Sequence, residues 1–141
     1  GAPFHVSTVE APQYRRFWLQ KKMSEGASLA EIEQRGRMMG FGIRDGSGIV
    51  FVSHRGEVYP AGFLPHPLLG SIREKPLPEI YRTAPGVTRL RAMDDLQGRC
   101  GQCEYRWICG GSRARAYAAT GNVMESDPLC VYQPASASPA E

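Results

Sequence analysis

Four cysteines, all in the last third of a 141-residue sequence, constrain the fold of this chain more than any other feature. Their spacing is Cys100-x2-Cys103-x5-Cys109-x20-Cys130. A CxxC turn brings two thiols to the same side of the chain, and the longer steps allow the other two to return to them. We therefore expect the four thiolates to bind one metal centre, either an iron–sulfur cluster or zinc.

Other uses of four cysteines explain the spacing less well. Structural zinc sites most often combine two CxxC pairs, and this chain contains one. Disulfides would suit an exported protein, but the first residues lack the charged and apolar layout of a secretory signal. A redox CxxC alone would leave Cys109 and Cys130 without a role. The pattern favours a [4Fe-4S] cluster, with zinc as the alternative.

Composition indicates a globular protein and speaks against nucleic-acid or membrane partners. Hydrophobic residues make up 42% and charged residues 22% of the sequence. Seventeen basic against fourteen acidic residues give a net charge of +3 without the concentrated basic stripe of a nucleic-acid-binding surface. No apolar run is long enough to span a bilayer. We predict a cytoplasmic location, where stable disulfides are rare.

Hydrophobic spacing predicts an α+β fold with short helices, a small β-meander and a cysteine-rich metal-binding loop region. A first helix is expected from Pro12 through Met23, and the capping-box pair Ser28 and Glu31 predicts a second helix over 29–38. Strands are predicted over 41–44, 49–52 and 57–59, an irregular Pro- and Gly-rich segment over 60–78, and further helices around 77–82, 87–93 and 112–119, the last ending before Gly121.

The residues around the cysteines predict how a cluster would be held. Gly110 and Gly111 allow the backbone to approach closely, and Trp107 is expected to shield the metal from water. Four thiolates around a [4Fe-4S]²⁺ core leave a net charge of about −2. Four nearby arginines could offset this charge: Arg99, Arg106, Arg113 and Arg115. For each of them taken singly, an exposed position on the surface is the more ordinary expectation.

Three stretches of the sequence resemble the radical SAM enzymes. The C-terminal SPASM/twitch region of those enzymes, in the subgroup with the haem b and haem d1 synthesis enzymes, is similar to GRCGQCEYRWICGGSRARAYA over 98–118 and DPLC over 127–130. The strand pair that leads into that region resembles GIVFVSHRGEVYPAGF over 48–63. The end of a late barrel strand and the helix after it resemble STVEAPQYRR over 7–16.

This resemblance implies a division of the chain into three parts. Residues 1–39 would be a helical remnant after a barrel strand, 40–132 the SPASM/twitch-like auxiliary iron–sulfur domain, and 133–141 a disordered tail. The sequence departs from the family pattern in two ways. It contains no Cys-x3-Cys-x2-Cys motif for the radical-generating cluster, and it has Ala61 and Arg113 where further auxiliary-cluster cysteines would be expected.

The remaining four cysteines match the ligand set of the second auxiliary cluster, which implies the cofactor-binding residues Cys100, Cys103, Cys109 and Cys130. By the same resemblance, S-adenosylmethionine and a radical SAM barrel belong to the complete enzyme, and its substrate is a tetrapyrrole-like small molecule or a peptide. Four cysteine ligands would coordinate all four irons, which favours electron transfer. The chain is not expected to be catalytic alone. The alternative is a structural zinc module that binds a partner protein.

Overall fold

A computed structural model describes residues 11–38, 40–41 and 43–135 of the chain. The predicted extended segment before residue 11 and the part of the predicted tail beyond residue 135 lie outside the described residues. Short helices are mixed with two small sheets, so the predicted α+β class is confirmed. Among the described residues, no helix has the length and apolar character needed to cross a membrane.

The secondary-structure elements alternate along the chain in short pieces. The helices are α1 (Gln13–Ser24), α2 (Leu29–Met38), α3 (Leu77–Thr83), α4 (Pro85–Arg91), α5 (Gly98–Gln102) and α6 (Arg113–Thr120), with a 3₁₀ turn over Met93–Asp95. The strands are β1 (Arg44–Asp45), β2 (Gly48–Ile49), β3 (Phe51–Val52), β4 (Glu57–Tyr59) and β5 (Gly70–Ser71).

The two N-terminal helices confirm the prediction made from apolar spacing and capping. The backbone N–H of Ser28 donates to Glu31 Oε2 at 2.9 Å, and the N–H of Glu31 donates to Ser28 Oγ at 3.3 Å. This reciprocal pair satisfies two amides that have no partner inside α2. The helices bury Trp18, Leu19 and Ile32 between them and against the cysteine segment, because Tyr105 and Ile108 pack on the same cluster.

The sheet differs from the predicted meander. The antiparallel hairpin of β3 and β4 forms as expected, but the third strand is β5, which lies in the segment predicted to be irregular. The predicted hairpin around 45–48 is wrong. Arg44 and Ser47 exchange backbone hydrogen bonds of 2.8 and 2.7 Å, and Gly46 adopts a φ of +71°. Strands β1 and β2 pair across this turn as a two-residue parallel ladder, Arg44 with Gly48 and Asp45 with Ile49, so the segment forms a tight local turn and not an antiparallel hairpin.

Two apolar clusters support the rest of the fold. The sheet core, defined here as Val58, Ile80, Ala84 and Val87, lies between β4 and the α3–α4 pair. A second cluster of buried residues extends to the cysteine segment and consists of Ala61, Leu64, Leu90, Met93, Leu96, Cys100, Val123 and Met124. Because Cys100 is itself part of this cluster, the first cysteine of the candidate site is anchored by apolar packing.

Helix α6 confirms the predicted helix and its end before Gly121, and it lies one residue later at each end than the predicted 112–119. Ser112 Oγ accepts the backbone N–H of Arg115 at 3.3 Å, and Gly121 ends the helix with a φ of +73°. Helix α5 was not predicted, since GRCGQ contains two glycines and no apolar period. The region that contains the cysteines is therefore organised by one short helix before the site and a capped helix after it.

Candidate metal centre

All four cysteines line one cavity between α1, α5, the loop before α6 and the segment after it. The cavity encloses about 410 Å³ of space not filled by atoms, part of it open to solvent. Cys100 and Cys109 are buried, whereas Cys103 and Cys130 are partly exposed. All four are free thiols, so the structure contains no disulfide bond among them.

Local hydrogen bonds position each cysteine at the cavity. Cys103 ends α5 and donates its N–H to the carbonyl of Cys100 at 3.4 Å. The N–H of Cys109 donates to Tyr105 O at 2.8 Å, which folds the five-residue step between the second and third cysteines into one turn. The N–H of Cys130 donates to Asp127 O at 3.1 Å, so the last cysteine also leaves a turn. The predicted return of Cys109 and Cys130 to the CxxC pair is therefore present.

The four thiols surround the cavity without meeting at one point. Among residues 11–38, 40–41 and 43–135, no three His, Cys, Asp or Glu side chains come close enough together to hold a single metal ion. A tetrahedral zinc site would require thiolate sulfurs that each lie about 2.3 Å from one ion. Ligands of a four-iron cluster stand farther apart, because each binds a different iron. Four thiols are a donor set that both an iron–sulfur cluster and a zinc ion accept.

Burial disfavours the charged thiolate form of two of the four cysteines, Cys103 and Cys109. Burial raises the pKa of Cys109 above its usual value, and the neighbouring thiols of Cys130, Cys100 and Cys103 raise that pKa further, although the N–H of Gly111 opposes both effects. Burial likewise raises the pKa of Cys103. A bound cationic centre would remove this penalty, since metal binding stabilises thiolates and releases their protons.

Gly111 brings the backbone against the cavity, as the sequence predicted. It adopts a φ of +61°, which side chains rarely tolerate. A β-carbon at this position would lie 3.1 Å from Cys100 Sγ and 2.9 Å from the Cβ of Asp127. Gly110, with a φ of +67°, continues the same wall. The diglycine is therefore required both for its backbone conformation and for the space it leaves.

Asp127 joins the segments that form the cavity wall, and the sequence did not predict this role. Its fully buried carboxylate accepts hydrogen bonds from the Ser112 N–H at 2.8 Å, from Arg115 Nη2 at 2.6 Å and from Gln13 Nε2 at 2.7 Å. Burial alone would raise the pKa of Asp127, but the hydrogen bonds and charge of Arg115 and the backbone N–H groups lower it overall. The carboxylate thus stays ionised and ties α1, α6 and the last cysteine loop together.

Asp127 also contacts the site through its backbone. Its N–H donates to Cys100 Sγ at 3.4 Å. The same sulfur accepts a hydrogen bond from Arg113 Nη2 at 3.6 Å. Arg113 is buried, with only 2% of its surface exposed. Arg113 therefore does not have the exposed position that was the ordinary expectation for each nearby arginine. Cys100 is accordingly the thiol with a cationic donor directly against it.

The other predicted arginines take different places. Arg106 pairs with Asp94 at 3.0 Å and lines the cavity, Arg99 also lines the cavity, and Arg115 is bound to Asp127. Arg16 of α1 was not predicted, yet it borders the cavity and its guanidinium lies 4.3 Å from the centre of the Tyr132 ring. The wall of the cavity is therefore positively charged on several sides.

Residues after the last cysteine line the cavity, whereas the predicted tryptophan does not. The Tyr132 hydroxyl donates to Glu104, which raises the pKa of Tyr132, and Pro134 is buried against the cavity. Trp107 is 53% exposed, lies outside the cavity lining, and contributes its carbonyl to Arg44 Nη2 at 3.0 Å. The predicted shielding by Trp107 is wrong, because its side chain points to solvent.

Several known proteins are similar in sequence to this chain over most of its length. An AdoMet-dependent heme synthase of Methanosarcina barkeri is 44% identical over 88% of this chain, and one of Nitratidesulfovibrio vulgaris is 38% identical over 96%. A pre-heme d1 synthase of Dinoroseobacter shibae is 33% identical over 63% of the chain. These matches cover 35%, 36% and 23% of the three relatives, so the chain spans about a third of the length of the first two. No protein-family model matches it.

Proposed function

The chain is homologous to radical SAM enzymes over most of its length, and from this premise we propose that it forms the auxiliary [4Fe-4S] domain of such an enzyme. The resemblance drawn from the cysteine run is confirmed by relatives that are AdoMet-dependent heme synthases. In this proposal 40–132 is the cluster domain and a radical SAM barrel is its partner.

The observation that supports the proposal most is the shared cavity of the four cysteines. Cys100, Cys103, Cys109 and Cys130 border one space, with no competing histidine among the cavity residues. Four thiols at one cavity match the donor set of a [4Fe-4S] cluster, with one thiolate for each iron. Because the site is built from thiols alone, it has the soft donor set that iron–sulfur clusters and zinc both accept.

The chain's own residues would bind, cover and charge-balance such a cluster. The four cysteines bind, while Gly110 and Gly111 bring backbone to the buried side of the cavity. Pro134 covers another side and limits the access of water. Low water access and hydrogen bonds to sulfur are the means by which proteins set the reduction potential of a cluster.

When bound, a [4Fe-4S] cluster supplies one-electron transfer. Four cysteine ligands leave no iron free, which favours this role over direct binding of substrate. In the complete enzyme we propose that the domain takes part in an oxidative modification that begins with S-adenosylmethionine. The relatives include synthases of heme and of pre-heme d1, and also PqqA peptide cyclases. The higher identity to the heme synthases favours a tetrapyrrole-like substrate.

Anaerobic reconstitution of the chain with iron and sulfide tests the proposal. We expect about four irons per chain and a broad visible absorption that a reductant bleaches, as for a [4Fe-4S] site. Replacing Cys130 by serine should lower the iron content, because it removes one of four ligands. Replacing the exposed Ser24 by alanine, outside the cavity, is the matched control and should leave loading unchanged.

One zinc per chain that resists exchange, without visible absorption after reconstitution, would contradict the cluster proposal. That result would favour the structural zinc module predicted as the alternative. Iron that binds equally in wild-type chain and in the Cys130→Ser variant would also contradict the assignment, because the metal would then be held elsewhere.

A further inference from the structure

Among the residues that the structure describes, Arg113 is a buried cation without a carboxylate partner. Its Nη1 donates to the carbonyls of Val123 and Glu125 at 2.8 and 2.7 Å, and its Nη2 points to Cys100 Sγ at 3.6 Å. Its Nε is buried without a hydrogen-bond partner among the described residues. The nearby buried carboxylate, Asp127, is bound by Arg115 instead. The positive charge of Arg113 therefore faces a sulfur.

A buried guanidinium is costly unless a negative charge offsets it. Two backbone carbonyls satisfy part of its hydrogen-bonding capacity but carry no net charge. Among the described hydrogen-bond acceptors of Arg113, Cys100 Sγ is the one that can carry a negative charge. A thiolate at Cys100 would supply it, and the N–H of Asp127 at 3.4 Å from the same sulfur adds a second donor.

We infer that Arg113 is the counter-ion of the Cys100 thiolate and thereby a positioning residue that raises the reduction potential of the cluster. This inference rests on the proposed function, since it requires a cluster in the cavity. This role of Arg113 is separate from metal binding. Its guanidinium contacts the sulfur of a proposed ligand and does not itself bind iron.

The sign of the effect follows from charge. Four thiolates on a [4Fe-4S]²⁺ core carry a net charge of about −2, and reduction adds one more negative charge. A buried positive charge in contact with one sulfur stabilises the reduced form more than the oxidised form. Hydrogen bonding to the sulfur acts in the same direction. Removing the charge should therefore make the cluster harder to reduce.

A purely structural role for Arg113 is the competing explanation. The two carbonyls that it binds lie in the segment between α6 and Cys130, so the side chain also holds this segment in place. Loss of that function would lower stability and iron content alike. It would leave the potential of correctly loaded chains unchanged, which separates the two explanations.

The test is a redox titration of the reconstituted chain, followed by visible absorption and by the electron paramagnetic resonance of the reduced state. Three variants are compared with wild type: Arg113→Gln, Arg113→Lys, and Arg82→Gln as a control for loss of an exposed arginine on α3. We expect the midpoint potential to fall in Arg113→Gln. It should fall less in Arg113→Lys, because the ammonium keeps the charge but cannot reach the sulfur and both carbonyls together. It should stay at the wild-type value in Arg82→Gln.

Equal midpoint potentials for wild type, Arg113→Gln and Arg113→Lys at equal iron content would overturn the inference while leaving the proposed function intact. Failure of the wild-type chain to assemble a cluster would overturn both. Should Arg113→Gln assemble none, Arg113→Lys decides: a potential below wild type supports the counter-ion role, and an unchanged potential overturns it.

Discussion

The sheet core and the wall of the cysteine cavity are held together by different kinds of contact. In the sheet core, Val58, Ile80 and Val87 are almost fully buried and interact through apolar surface alone. In the cavity wall, the buried groups include the carboxylate of Asp127 and the guanidinium of Arg113, both with specific hydrogen bonds. The stability of the sheet core depends on how much apolar surface is buried. The stability of the cavity wall depends on the positions of individual hydrogen-bonding atoms.

This difference teaches where the chain tolerates change. Apolar packing is non-directional, so a smaller side chain of similar shape costs only the surface and volume that it removes. A buried charge or a glycine at a positive φ has no such substitute. Replacing the charge leaves its partner unpaired, and replacing the glycine forces a side chain into an unfavourable backbone conformation. We therefore expect conservative substitutions to separate the two regions.

The largest expected effect comes from Asp127→Asn, which keeps the shape of the side chain and removes its charge. Arg115 then loses its buried partner, and breaking such a pair costs about 3–5 kcal/mol. Urea denaturation gives the change in the free energy of unfolding. The same substitution at Asp94, whose pair with Arg106 leaves the Asp94 side chain 64% exposed, should cost less than about 1 kcal/mol. Similar losses at both positions would remove the distinction between buried and exposed charge.

A smaller effect is expected from the comparison of Gly111→Ala with Gly121→Ala. Both glycines have a positive φ, so alanine adds similar backbone strain of about 1 kcal/mol at each. Nothing lies within 4 Å of a β-carbon at Gly121, whereas at Gly111 it would press on Asp127 and Cys100. Overpacking should add about 1–3 kcal/mol at Gly111 alone. Iron content after reconstitution should fall only in that variant, and equal loading would contradict a close approach of backbone to the cluster.

The smallest effect is expected in the sheet core itself. Ile80 is 2% exposed and packs with Val58, Ala84 and Val87. Shortening it in Ile80→Val removes one methyl group and should cost about 0.5–1.5 kcal/mol. Thermal or urea unfolding measures this loss, and iron content should stay at the wild-type level. A loss as large as that of Asp127→Asn would show that the core is no more tolerant than the cavity wall.

The sequence predicts the parts of this fold that local chemistry specifies. The reciprocal hydrogen bonds of Ser28 and Glu31 begin α2 where expected, and Gly121 ends α6, which lies within one residue of its predicted bounds. Strand β5 could not be found in this way. It consists of Gly70 and Ser71, and its pairing is decided by Val58 of β4 rather than by any preference of its own residues.

The same limit applies to the candidate site. The spacing of the cysteines indicates that they converge, but it contains no information about the other side of the cavity. Arg16 reaches it from α1, and Gln13 of the same helix contacts Asp127, which lies 114 positions away in the sequence. The burial of Arg113 was also unpredictable, because an arginine at the start of a helix ordinarily points to solvent.

The hydrogen bond between Gln13 and Asp127 has a consequence for the order in which the chain folds. Bringing together segments so distant in sequence costs loop-closure entropy that local helices and turns do not incur. Helices α2 and α6 and the β3–β4 hairpin can form early, while the docking of α1 on the cysteine segment comes late. Until then the site is open on the side of α1, so we expect the iron and sulfide of the proposed cluster to reach the thiols most easily in this interval.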